Sequence, residues 1–84
     1  MEEDIIFNEV QAALEQARAL YQPFHSTHEG YAVLLEKFRD LEVEVFNKPA
    51  SWNVEGIQAE CIQVAAMSIR IILDCCCTDG EVPF

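Results

Sequence analysis

The sequence predicts an all-α chain: three helices, each antiparallel to the one before, forming a four-helix-bundle-like core that a further copy of the chain completes. Three observations predict this. The stretch Val54 to Cys77 has no proline and a single glycine near its start. On a wheel of about 100° per residue, Ile57, Cys61, Val64, Ala65, Ser68, Ile69, Ile71, Ile72 and Cys75 cover well over half of its circumference. A helix that is apolar over most of its surface has to be buried on several sides. Two earlier segments carry apolar residues at spacings of three and four. Finally, 51% of the 84 residues are hydrophobic, while a lone domain of this size buries only about 60% of its unfolded surface. Association of copies resolves that mismatch.

The chain reads as one domain, residues 1–84. The first helix is expected over about residues 3–21, where Ile6, Val10, Ala13, Leu14, Ala17, Leu20 and Tyr21 share a face. Glu2, Glu3 and Asp4 sit at its positive dipole end. Pro23 ends it, because the residue before a proline avoids the helical region.

Ser26 followed by Glu29 is a capping box. It opens a second helix over about residues 27–47. Leu34, Phe38, Leu41 and Val45 line one face, with Tyr31 and Leu35 beside them. Glu29, Val33, Glu36, Asp40, Val43 and Glu44 line the other. Glu36 and Asp40 are like charges one turn apart, which costs a few tenths of a kcal/mol in an isolated helix. Two readings stand for that face: a solvated charged surface, or acids held together by a cation. The valines among the acids favour the second.

Lys48, Pro49 and Ala50 break the second helix, and Ser51 or Asn53 caps the third, over about residues 54–77. Trp52 is either a plug over the bundle end or a stacking surface for a ring-shaped ligand. Thr78, Asp79 and Gly80 form the stop, and a short tail closes residues 78–84. On the third helix Glu60, Gln63, Arg70 and Asp74 share a narrow polar strip. Glu60 borders the apolar surface, where a carboxylate needs a cation, a metal or a hydrogen bond.

Charge narrows the function. Fifteen acids against five bases give a net charge of −10. This excludes phosphate-led nucleic-acid binding and argues against an anionic membrane surface. It suits a protein that binds cations, or anionic ligands through bridging metal ions. No apolar run approaches the roughly 18 residues of a membrane span. The start, MEEDII, lacks the basic region of a signal peptide, so the expected compartment is the cytoplasm. Cys61, Cys75, Cys76 and Cys77 are then reduced, and their spacing is not that of a zinc site. His25 and His28 precede the acidic face, where a histidine either caps the helix start or meets a phosphate.

The segment PFHSTHEGYAVLLEKFRDLEVEV, followed after a gap by AECIQVAAMSIRIILD, resembles the MazG-like group of all-α nucleoside triphosphate pyrophosphohydrolases. HEGYAVLLE and the QVAAM-x-x-R run are similar to its small single-domain members, and the likeness spans about Pro23 to Asp74. It implies helical dimers or tetramers that bind Mg²⁺ through E-x-x-E and E-x-x-D motifs. It also implies house-cleaning cleavage of nucleoside triphosphates to the monophosphate and pyrophosphate.

Carried over by position, the resemblance implies Glu36, Asp40 and Glu60 as catalytic metal ligands, with Gln63 as a fourth ligand. Lys37 and Arg70 would contact phosphate, and the base would lie between subunits. Lys37 stands where similar members have a second glutamate, and Gln63 stands where the motif has an aspartate. Glutamine offers a metal a neutral oxygen but no charge. The alternative is therefore a MazG-like protein that binds a nucleotide or a protein partner without turnover. A purely structural assembly module is the third reading.

Overall fold

The computed structural model describes residues 2–47, 49 and 53–77. Among these the chain is all helical, with no strand. Helix α1 spans Glu3–Leu20, α2 spans Thr27–Phe46 and α3 spans Val54–Ile71. A π-helical turn, Ile72–Cys76, continues α3. The expectations for Trp52, for Ser51 as a cap, for the Lys48 and Ala50 break and for the 78–84 tail lie outside the described residues.

Local chemistry explains most of the helix ends. Tyr21 is already extended (φ −124°, ψ 151°), so α1 stops before the proline-restricted residue is reached. The Tyr21 amide closes the last turn by donating to the Ala17 carbonyl at 2.9 Å. At the start of α2, the Ser26 hydroxyl accepts from the Glu29 amide at 3.1 Å. The Glu29 carboxylate in turn accepts the His25 amide at 2.8 Å. This is a capping box whose return bond lands one residue early.

Asn53 occupies the cap position of α3 but does not cap it with its side chain. Its amide instead donates to the Glu44 carbonyl at 2.8 Å and to the Glu44 carboxylate. The side chain ties the end of α2 to the start of α3.

Helix α3 packs against both α1 and α2, which scarcely touch each other. The helices run up, down and up. A Cβ on Gly30, near the start of α2, would meet Ile71 at the end of α3, and one on Gly56 would meet Glu44 at the other end. Between α1 and α3 the contact uses small residues: Val10 and Ala17 bury against Ala66 and Met67. Ala13, Leu14, Val33, Leu34, Ile62 and Ala65 pack around them. Alanines at these positions let the backbones approach closely.

That core is small for so apolar a chain. Phe7, Phe38, Phe46, Ile69 and Ile72 are exposed, Phe38 at 55% and Ile72 at 52%. Tyr31, Leu34, Leu35, Phe38, Val64 and Ser68 form a shallow apolar groove of about 290 Å³ along the α2–α3 seam. The Ser68 hydroxyl donates to the Val64 carbonyl at 3.0 Å. No described helix is long and apolar enough to cross a membrane.

Candidate functional site

Because α1 and α2 both lean on α3 without meeting, a groove opens between them, with the polar strip of α3 as its floor. Glu60, Gln63, Met67 and Arg70 form that floor. Ala13, Gln16, Ala17 and Leu20 of α1 make one wall, and Glu29, Val33, Glu36 and Lys37 of α2 make the other. The connection Tyr21–His25 closes one end. The groove measures about 710 Å³, within the range of small-molecule and cofactor sites.

Of the six site residues expected from sequence, five line this groove: Glu36, Lys37, Glu60, Gln63 and Arg70. Asp40 does not. It is exposed on α2, a turn beyond Glu36. The polar strip on the third helix is therefore a groove floor rather than a solvent face.

Arg70 was expected to reach a phosphate from that strip. The structure buries it at 4% exposure and commits its guanidinium to the protein. Nη2 donates to the Gln22 carbonyl at 2.7 Å, and Nε lies 3.6 Å from the Asp74 carboxylate. The guanidinium stacks 4.0 Å over the Phe24 ring and lies 5.7 Å from the Tyr21 ring. Asp74 also accepts the Phe24 amide at 3.0 Å. Arg70 and Asp74 thus clasp the α1–α2 connection from both sides, in a setting where charge-assisted bonds are strong. Asp74, a member of the polar strip expected on the third helix, is occupied in this clasp.

The clasp depends on the π-helical turn, which carries Asp74 and Cys75. Such turns within helices often mark functional sites. Cys75 is fully buried there. Burial, and after it the neighbouring Asp74 charge, push its thiol above the ordinary value of 9.0. Cys61, Cys76 and Cys77 are exposed free thiols.

Besides Arg70, the charged residues lining the groove are three acids, Glu29, Glu36 and Glu60, against Lys37. Arg70 is matched by Asp74 and adds no net charge. Among the described residues, no three His, Cys, Asp or Glu side chains stand close enough together to form a metal cage. At the expected site the oxygen donors are the Glu36 carboxylate on the α2 wall and the Glu60 carboxylate and Gln63 amide on the α3 floor. Mg²⁺ is usually held by one or two carboxylates, with water and substrate phosphates completing its shell. Glu36 and Glu60 fit that sparse mode and do not fit a closed protein cage.

Sequence reasoning missed the aromatic end of the groove. Tyr21, expected on the apolar face of the first helix, instead follows its end and is 63% exposed; Phe24 lies in the connection, where no periodicity marks a face, and nothing in the sequence joins either ring to Arg70. The chain finds no match among known family models, curated proteins or solved structures.

Proposed function

We propose that the groove binds a nucleoside triphosphate with Mg²⁺, and that the protein is a cytoplasmic, MazG-like nucleoside triphosphate pyrophosphohydrolase working as a homo-oligomer. The observation that carries this reading is the gathering of Glu36 and Lys37 on one wall and Glu60 and Gln63 on the floor of the same groove. Those are the positions at which the sequence resembles the family's acidic motifs. The exposed apolar seam of α2 and α3 supports the oligomer, since a second copy would cover Tyr31, Phe38 and Ile72.

Glu36 and Glu60 would hold the metal, and Gln63 would lend a neutral oxygen. Bound there, Mg²⁺ supplies charge stabilisation on the phosphoryl oxygens and orients the triphosphate. Among the described residues, Lys37 is the lysine or arginine on the groove lining not already matched by the clasp, so it takes a phosphate oxygen. The two glutamates also form a rim that repels an anion arriving without a metal, which ties binding to the cation. Arg70 works indirectly, by fixing the wall that closes the groove.

Pyrophosphate release from a panel of nucleoside triphosphates with Mg²⁺ tests the proposal. Turnover of at least one nucleotide is expected, with Glu36→Gln and Glu60→Gln variants slower by two orders of magnitude or more. Wild type and both variants equally inert would reject turnover.

A second reading, binding without turnover, draws on Lys37 inside the groove and Asp40 outside it. It predicts a raised melting temperature with Mg²⁺ and nucleotide but no released pyrophosphate.

A further inference from the structure

We propose that Tyr21 is the platform on which the groove stacks a planar heteroaromatic ring, the base of the nucleotide. The inference rests on the proposed function for the identity of the ligand, and on the following geometry for the site.

Tyr21 closes one end of the groove and is 63% exposed. A large aromatic ring held open to solvent is a binding surface when it is held in place rather than left free. This one is held twice. Its amide is fixed to the Ala17 carbonyl at 2.9 Å, which pins its backbone to the last turn of α1. The Arg70 guanidinium lies against the ring, 5.7 Å from its centroid. That guanidinium is in turn locked by Phe24, Gln22 and Asp74. A buried arginine behind an exposed ring restricts the ring without covering it. Base–aromatic stacking tolerates any base, because every base presents a flat π face.

The spacing to the acids suits a molecule with a ring at one end and anionic groups at the other. At 1.5 Å per residue, Gln63 and Glu60 lie about 10 and about 15 Å along α3 from Arg70. Glu36 lies about 10 Å along α2 from Glu29, whose carboxylate is tied to the closed end at His25. The aromatic end therefore takes the base, and the acid end takes the metal-bound phosphates. Leu20 lines the same wall and is similarly exposed, at 65%. It offers apolar area without a flat face and serves as the control.

The test is calorimetric binding, with Mg²⁺ present throughout, of three probes: a purine nucleoside triphosphate, inorganic tripolyphosphate, and the free nucleoside. Wild type is compared with Tyr21→Ala, Tyr21→Phe and Leu20→Ala, each first checked for an unchanged circular dichroism spectrum. The triphosphate is expected to bind wild type more tightly than tripolyphosphate. Tyr21→Ala should lose about tenfold for the triphosphate and nothing for tripolyphosphate. Tyr21→Phe should retain wild-type affinity, and Leu20→Ala should change it less than threefold.

Equal losses for both polyphosphates in Tyr21→Ala, or equal effects of Tyr21→Ala and Leu20→Ala, would overturn the stacking role while leaving the proposed function standing. If neither polyphosphate binds but the nucleoside does and Tyr21→Ala abolishes it, the platform survives and the phosphate reading fails. If no probe binds wild type, both fail. A Tyr21→Ala variant with a changed spectrum shifts the decision to Tyr21→Leu, a side chain of similar bulk without a ring, under the same criteria.

Discussion

Replacing Arg70 with methionine should weaken the fold by about 4 kcal/mol, because it strips one partner from a buried charge pair. The side chains of Arg70 and Asp74 are 5% and 4% exposed, with Nε and the carboxylate 3.6 Å apart. Without the guanidinium, Asp74 keeps a single donor, the Phe24 amide at 3.0 Å. Breaking a buried pair from one side costs about 3–5 kcal/mol. Losing the bond to the Gln22 carbonyl and the stacking on Phe24 each adds about 1 kcal/mol, partly overlapping with the first loss. A domain of this length has a total stability of about 4–13 kcal/mol. The variant should therefore melt at least about 15 °C lower.

The double variant Arg70→Met/Asp74→Leu removes both charges. It should recover about 2 kcal/mol relative to the single variant, since the stranded carboxylate is the larger part of the loss. Urea and thermal unfolding followed by circular dichroism at fixed protein concentration measures wild type, Arg70→Met, Asp74→Leu and the double variant. Arg70→Met within about 1 kcal/mol of wild type would refute the clasp. A double variant as unstable as the sum of the two singles would also refute it, because independent sites add.

Three further outcomes follow from the same packing. Gly30→Ala should destabilise by about 1–2 kcal/mol in urea unfolding: its Cβ would stand 2.8 Å from Ile71 Cγ1 and 3.3 Å from Phe24, and overpacking outweighs the helix propensity gained. The Cys75 thiol is held above 9.0, so its contribution to stability is whole below that pH and is lost as pH rises above it, where the unfolded chain ionises first. Unfolding free energies from pH 8 to 11 should therefore fall more steeply for wild type than for Cys75→Ala, and parallel curves would contradict the burial argument. Lys37→Glu should tighten Mg²⁺ binding in calorimetry roughly tenfold by turning a cation on the groove wall into a fourth carboxylate.

The three helices were legible because each rule that marks them is local. Ser26 and Glu29 announce α2 through one backbone bond and one return bond, and the structure makes both, the second one residue early. Periodicity placed Val10 and Ala17 on the inward face of α1 for the same reason, but on α3 the residues buried in the core are Ala66 and Met67, outside the expected apolar set, while Ile69 and Ile72 are exposed. The π-helical turn was not legible. No proline or glycine marks it, and Asp74 is held there by partners that are close only after folding.

The candidate site was half legible. The polar strip of α3 and the acid face of α2 are sequence properties, and they meet across one groove. The direction in which each faces is a tertiary property, set by α1 and α2 leaning on α3 from different sides. That is why Asp40 falls outside the groove, and why Arg70 is drawn into the clasp rather than left to a ligand.

The most direct measurement is an NMR titration of the isotopically labelled protein with Mg²⁺ and a nucleoside triphosphate, following every backbone amide. The account predicts shifts at Ala17, Tyr21, Glu36, Lys37, Glu60 and Gln63, and quiet signals along the opposite seam at Leu35 and Ser68. Shifts gathered on that seam, or no shifts at saturating ligand, would contradict it.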